Sequence, residues 1–239
     1  MSEEELTFKD GLQHGTPIAL GYLSVSFSFG IAAVADGIPW WQAVLISLTN
    51  LTSSGQFAGI GIIAAGGSYL EMMLTELVIN LRYALMSISL SQKLSPDFGL
   101  GYRLTLGHVN TDEIFAVAMS RREEINPRYL FGLALLPYIG WSGGTLIGGV
   151  CGDILPHSIT QALSVMIYGM FLAIIVPAMK QDRPTIAVVL IAVAISCLIY
   201  YLPALDFITS GFSIIICAVA ASAFGALFFP REKEAENGA

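Results

Sequence analysis

The 239-residue chain is 55% hydrophobic and only 12% charged, with a mean hydropathy of +0.71 and a formal net charge of −7. That composition excludes an ordinary soluble domain and fits repeated passage through a lipid bilayer. The three cysteines, Cys151, Cys197 and Cys217, lie in or at the ends of apolar segments without metal-ligand spacing, so they read as small core residues.

The acidic start, Met1-Ser2-Glu3-Glu4-Glu5, lacks a basic n-region and does not look like a cleaved signal peptide. Phe8 and Leu12, one helical turn apart among Lys9, Asp10 and Gln13, suit a short interfacial helix ahead of Pro17. A helical crossing needs about 20 apolar residues, which places candidate spans at 17–35, 42–65, 69–92, 104–120, 129–151, 158–178, 184–202 and 206–229. The expected fold is all-α, a polytopic helical membrane protein with about 7–8 transmembrane helices and a discontinuous second span. The segment 104–120 is short and charged, so seven crossings with one re-entrant or partial helix is the rival to eight.

Eight crossings put Lys9, Arg121, Arg122, Arg128, Lys180, Arg183, Arg231 and Lys233 on one side, with only Lys93 and Arg103 opposite. Excess Lys and Arg mark the cytoplasmic side, so both termini are expected in the cytoplasm. The expected division is a cytoplasmic N-terminal segment at 1–16, a transmembrane domain at 17–229 and a cytoplasmic tail at 230–239. The loops between spans are too brief to form a soluble module. No GxxxxGK[ST] loop is present to cradle a nucleotide, and HExxH, paired CxxC and GxSxG are missing too. Neither an enzyme nor a protein requiring a metal or organic cofactor or nucleic acid is expected.

Within the second candidate span, Thr49-Asn50-Leu51-Thr52-Ser53-Ser54-Gly55-Gln56-Phe57 interrupts the apolar run with polar groups on more than one face. A continuous lipid-facing helix does not tolerate this, whereas an unwound stretch lining a cavity does, and its freed amides suit a carboxylate and an ammonium group. Small polar residues that only hold helices together are the plain alternative. In the third span Glu76, Asn80 and Tyr83 share a face and Arg82 points roughly 120° or more away from Glu76. Arg82 is therefore expected to seek an acid on another helix, Asp112 or Glu113. In the fourth segment Thr105, His108 and Asp112 share a face, with Glu113 turned about 100° from Asp112. Each charge at mid-bilayer costs about 2.5–3.5 kcal/mol on insertion scales, so these groups must pair, face the bundle interior or line a wet path. His108 reads first as a hydrogen-bonded core histidine. Pro137 and Pro203 suggest kinks, as does Pro177. Gly140, Gly144, Gly148 and Gly152 form a packing stripe beside Trp141, suited to contact within the chain or with a second subunit.

Three stretches together, Ser54-Gly55-Gln56-Phe57, Asn80-Leu81-Arg82-Tyr83 and Thr111-Asp112-Glu113-Ile114-Phe115-Ala116, make the chain resemble the AzlC-like branched-chain amino acid exporters. The opening from Pro17 through Gly21 to Phe29-Gly30, and Trp141 with its Gly/Thr-rich continuation, are similar to the same family. The resemblance implies a large subunit that works with a small hydrophobic AzlD-like membrane protein. It implies export of valine, leucine, isoleucine and sometimes methionine across the cytoplasmic membrane, driven by protons. On this reading Asn50, Ser53, Ser54, Gly55, Gln56, Asn80 and Trp141 are candidate substrate-binding residues. Glu76, Arg82, Asp112 and Glu113 are candidates for proton coupling or ion pairing. The chain departs from the family pattern at Tyr83, where relatives carry His, and at Ser53-Ser54, where Ala or Gly is common, which implies a more polar pocket. A non-transporting scaffold docking through the Gly140–Gly152 stripe is the alternative from another class.

Overall fold

The structure, a computed structural model, describes residues 6–154 and 183–229, with positions 172, 175, 176, 179 and 180 between them. The expected span at 158–178 lies almost wholly outside the described residues, as do Pro177 and the tail at 230–239. The described residues form α1 (Phe8–Ala35), α2 (Trp40–Thr49), α3 (Ser54–Ala64), α4 (Tyr69–Ser91), α5 (Leu100–Gly107), α6 (Asp112–Met119), α7 (Pro127–Ile154), α8 (Arg183–Tyr201) and α9 (Ser210–Phe228). Five of these, α1, α4, α7, α8 and α9, are long and apolar enough to cross a membrane. The class is the expected all-helical polytopic membrane protein.

Local chemistry sets the helix ends. Thr7 and Asp10 form a reciprocal capping box at the start of α1. The helix then continues through Pro17, so residues 8–16 are its first turns and not a separate interfacial helix. Gly37 and Gly66, with φ of 85° and 65°, end α1 and α3. In each case the next residue donates back across the turn, Ile38 N to Ala33 O at 2.8 Å and Gly67 N to Ile62 O at 2.9 Å. Those closures need the left-handed conformation that glycine adopts without a side-chain clash.

The frame is the α1–α7 pair. Along α7, Gly140 lies against Ala19, Gly144 against Leu23 and Ser26, Gly148 against Phe27, and Gly152 against Ile31. Contacts advance together along both helices, so α1 and α7 run parallel. The stripe is thus a packing surface within the chain. That covers the face on which the scaffold alternative depended.

Between these parallel helices the chain makes two hairpins. In hairpin 1, α2 runs down from the end of α1, with Trp40 beside Gly149 and Ser47 Oγ 2.7 Å from Thr145 Oγ1. After the break at 50–53, α3 turns back: Gln56 Nε2 donates to Ser47 Oγ at 3.0 Å, a contact no straight continuation permits. Gly55 then lies by Asn80 and Glu76, and Gly59 by Glu76 and Met72, so α3 is antiparallel to α4. The discontinuous second span is a re-entrant hairpin that leaves by the face it entered.

Hairpin 2 mirrors this from the opposite face. Where α4 ends, Ser95 N donates to Ile125 O at 3.0 Å and Ile125 N to Lys93 O at 2.9 Å, beside the start of α7. From there α5 rises until His108 meets Tyr138, the chain breaks at 108–111, and α6 descends to Met119, whose carbonyl accepts from Lys93 Nζ at 3.0 Å. The 104–120 segment is therefore the partial, re-entrant alternative and not a crossing. One consequence corrects the expected charge map: Lys93 and Arg103 share a face with Lys9, Arg121, Arg122 and Arg128. Pro203 opens a short 3-10 turn between α8 and α9. Cys197 is exposed on α8 and not in a core.

Candidate functional site

The two breaks meet at mid-depth beside the α1–α7 pair, enclosing a cavity of about 610 Å³. Pro17, Ile18, Gly21, Tyr22 and Val25 of α1, with Trp141 of α7, form one wall. Leu51, Ser53 and Ser54 come from hairpin 1, Thr111, Asp112 and Glu113 from hairpin 2, and Arg82 and Tyr83 from α4. Trp141 is buried and packs edge-on against Tyr22, with ring centres 5.3 Å apart. Irregular backbone at membrane depth is tolerated where it lines such a space.

Arg82 reaches across to hairpin 2, its Nη1 2.6 Å from Asp112 Oδ2. Its other amino group donates to Ser54 Oγ at 3.3 Å and Tyr83 Oη at 3.2 Å, and the guanidinium lies 4.9 Å from the Tyr83 ring centre. Both ion-pair partners are 43% exposed, so they face the cavity and not a dry core. Glu113, next along α6, bonds with the Tyr22 hydroxyl, which also lies 2.6 Å from Thr111 Oγ1. Tyr22 thus pins α1 to the hairpin 2 tip.

The two half-helices that begin at the tips differ electrostatically. The start of α6 is capped by Thr111, which accepts from Ile114 N at 3.5 Å, and carries Asp112 and Glu113 in its first turn. The start of α3 has no acid in its first turn, and its cap residue Ser53 makes no side-chain capping bond. Its amides present the positive end of a helix to the cavity. Ser53 adopts φ 52° and ψ −90°, a strained conformation for a residue with a Cβ.

A smaller chamber of about 280 Å³ adjoins, lined by Thr49, Asn50, Thr52, Asn80, His108 and Asn110. Leu51, Tyr83 and Thr111 line both spaces and form the partition between them.

The structure sorts the expected residues. Ser53, Ser54, Trp141, Arg82, Asp112 and Glu113 line the main cavity, and Asn50 and Asn80 the chamber. Gly55 and Gln56 line neither. Gln56 is buried and ties hairpin 1 through Ser47 and Thr145 to α7, while Gly55 makes room for the Glu76 carboxylate. Glu76 itself lies behind α3, accepting from Asn80 Nδ2 at 2.6 Å. The face expected for Thr105, His108 and Asp112 does not exist, because the helix breaks between His108 and Asp112. His108 is an exposed tip residue edge-on to Tyr138, not a core histidine.

Sequence reasoning missed Tyr22 and Glu71. Glu71, buried in the first turn of α4, accepts from Gly211 N at 2.9 Å and from the Thr209 hydroxyl, capping α9 from a neighbouring helix. An acid three residues after Ser68 reads as serving its own helix, and Ser68 does accept from Glu71 N at 3.1 Å. The Thr209-Ser210-Gly211 helix start was the signal that a second helix needed a carboxylate.

Comparison with known proteins agrees on kinship. The chain is 33% identical to an uncharacterized membrane protein of Archaeoglobus fulgidus, over 76% of this chain and 80% of that protein. It is 26% identical to the inner membrane protein YgaZ of Escherichia coli, over 74% of this chain and 75% of YgaZ. It is 22% identical to the branched-chain amino acid transport protein AzlC of Bacillus subtilis, covering 74% and 69% of the two chains. No solved structure matches. The family model described as AzlC protein matches residues 17–155, which run from Pro17 within α1 to the end of α7 and include both hairpins and every cavity-lining residue, and the chain belongs to the AzlC family.

Proposed function

We propose that this protein is a secondary transporter that exports branched-chain or related aliphatic amino acids across the cytoplasmic membrane, coupled to protons and assisted by a small AzlD-like subunit. The observation that carries this reading is one cavity combining an apolar wall, a helix start with neither an acid nor a side-chain cap, and an acid pair. The name of the Bacillus subtilis relative supports the substrate class.

In this reading the substrate carboxylate meets the α3 amides and Arg82, the ammonium group meets Glu113, and the aliphatic side chain lies against Ile18, Val25 and Trp141. A cavity of about 610 Å³ falls in the usual range of small-molecule sites, roughly 300–1,000 Å³. Asp112 and the substrate carboxylate compete for Arg82, so binding and hairpin position are linked. Glu113, Asp112 or Glu76 takes the coupling proton. Hairpins entering from opposite faces suit alternating access, with substrate and proton each favouring one arrangement. The grouping of Lys9, Lys93, Arg103, Arg121, Arg122 and Arg128 on the face where α1 begins supports a cytoplasmic N-terminus.

The test is counterflow of labelled valine, leucine, methionine and glutamine into proteoliposomes, with the chain alone and with a candidate small partner, under an imposed pH gradient. Saturable, pH-dependent movement of an aliphatic substrate supports the reading. Absence of movement in both preparations, with folding intact, refutes it.

A further inference from the structure

We propose that Tyr22 is a positioning residue that holds the hairpin 2 tip to the α1–α7 frame through Glu113, and that this hold and the Arg82–Asp112 pair are two latches released together only by a zwitterion. The inference rests on the transporter reading and deepens it, because it states which chemical class the cavity moves.

Asp112 and Glu113 are consecutive in the first turn of α6, so they point about 100° apart and reach opposite neighbours. Asp112 turns to Arg82 of α4 at 2.6 Å, and Glu113 to the Tyr22 hydroxyl of α1. Among the described residues, the side-chain hydrogen bonds from hairpin 2 to α1 all end at Tyr22. Toward α4, Asn110 Nδ2 adds a neutral bond to Ser87 Oγ at 3.3 Å. The anchor on α1 is firm, since Tyr22 is buried and packs edge-on against the buried Trp141 of α7.

The phenol has one proton and two oxygens within reach, Glu113 Oε2 and Thr111 Oγ1. An ionised carboxylate is the stronger acceptor, so Tyr22 donates to Glu113 and Thr111 donates to Tyr22. The single donor of Tyr22 is thus committed to Glu113 while the tip is closed. An ammonium group at Glu113 brings several donors and a full charge and takes the place of the phenol. A carboxylate at Arg82 displaces Asp112 in the same way. An amine opens the first latch and a carboxylic acid the second, each leaving the tip held by the other. An α-amino acid carries both groups and opens both, a distinction that the apolar wall cannot make between compounds sharing one side chain.

The test compares leucine with isocaproate, which lacks its ammonium group, and isopentylamine, which lacks its carboxylate, on the purified full chain. Deuterium exchange of the backbone amides at 109–113 reads the tip, and counterflow in proteoliposomes reads movement. In the parent, leucine speeds tip exchange about tenfold and is moved, and neither analogue does either. Tyr22→Phe keeps the ring against Trp141 and loses the Glu113 bond, so its unliganded tip exchanges about tenfold faster. In that variant isocaproate now opens the tip and is moved, while isopentylamine stays excluded. A response of the variant to both analogues or to neither overturns the two latches, because mere loosening does not tell acid from amine. The parent decides independently of the variant's folding: either analogue acting there as leucine does overturns the proposal. Leucine moved without any change at the tip removes the latches and leaves the transporter reading; leucine neither moved nor felt at the tip removes both.

Discussion

Hairpin 1 and hairpin 2 enter from opposite faces and stop at the same depth, yet they are made of different chemistry. The tip of hairpin 1 is uncharged, with Asn50, Thr52 and a strained Ser53, and α3 begins without an acid or a side-chain cap. The tip of hairpin 2 is closed by Thr111 and followed at once by Asp112 and Glu113. One half-helix therefore keeps an uncompensated positive end, and the other carries two carboxylates in its first turn. A zwitterion needs both, and α4 supplies Arg82 between them.

The largest effect is expected where the tips are joined. Arg82→Ala leaves Asp112 without its cation at membrane depth, and at 43% exposure the loss falls between surface and buried pairs, about 1–3 kcal/mol. Transport should fall below detection, and a thermal melt should show the lowered stability. Arg82→Lys keeps the charge but not the fork that reaches Asp112, Ser54 and Tyr83 together, so folding should persist while transport drops at least tenfold, about 1.4 kcal/mol.

Glu113→Gln tests the acidic side alone. Lowering the external pH should speed efflux in the parent protein and leave the variant unresponsive, with membrane insertion intact. Unchanged pH-driven transport would remove Glu113 from the coupling role.

Two glycines sharpen the contrast between scaffold and cavity. Gly55→Ala places a methyl against Thr52 and Glu76 and should cost about 1–3 kcal/mol, measurable as a lower Tm. Gly21→Ala meets nothing within 4 Å and lines the cavity, so it should leave Tm unchanged while raising KM for the bulkier substrates.

The smallest effect has the opposite sign. Ser53→Gly relieves the positive φ at the hairpin 1 tip and should raise stability by about 0.5–1 kcal/mol. A fall in Tm would mean that the Ser53 side chain contributes more than its backbone strain costs.

The all-helical membrane class was legible because 12% charged residues cannot dress a soluble surface. The break near Asn50 was legible because small polar residues interrupt an apolar run. Helical phase alone turned Arg82 away from Glu76 and toward the next acidic segment. Chain reversal was open as an alternative at 104–120 but not legible in hairpin 1: residues 42–65 are long enough to cross, and only contacts such as Gln56 with Ser47 reveal that they return. The same reversal explains why Lys93 and Arg103 were placed on the wrong face. His108 misled because a shared helical face was read across residues where no helix exists. Glu71 was invisible because its second partner lies 140 residues away, at Gly211.

The most direct measurement is the sidedness of the loops that the hairpins connect. With Cys151, Cys197 and Cys217 replaced, single cysteines at Asp36, Asp97 and Glu123 are labelled in intact cells by a membrane-impermeant maleimide. Re-entrant hairpins place Asp97 and Glu123 together on one side and Asp36 on the other, and with the proposed cytoplasmic N-terminus Asp36 alone is labelled. Labelling of Asp97 with Asp36, and not with Glu123, would mean that residues 100–119 cross the membrane and would contradict the paired-hairpin architecture.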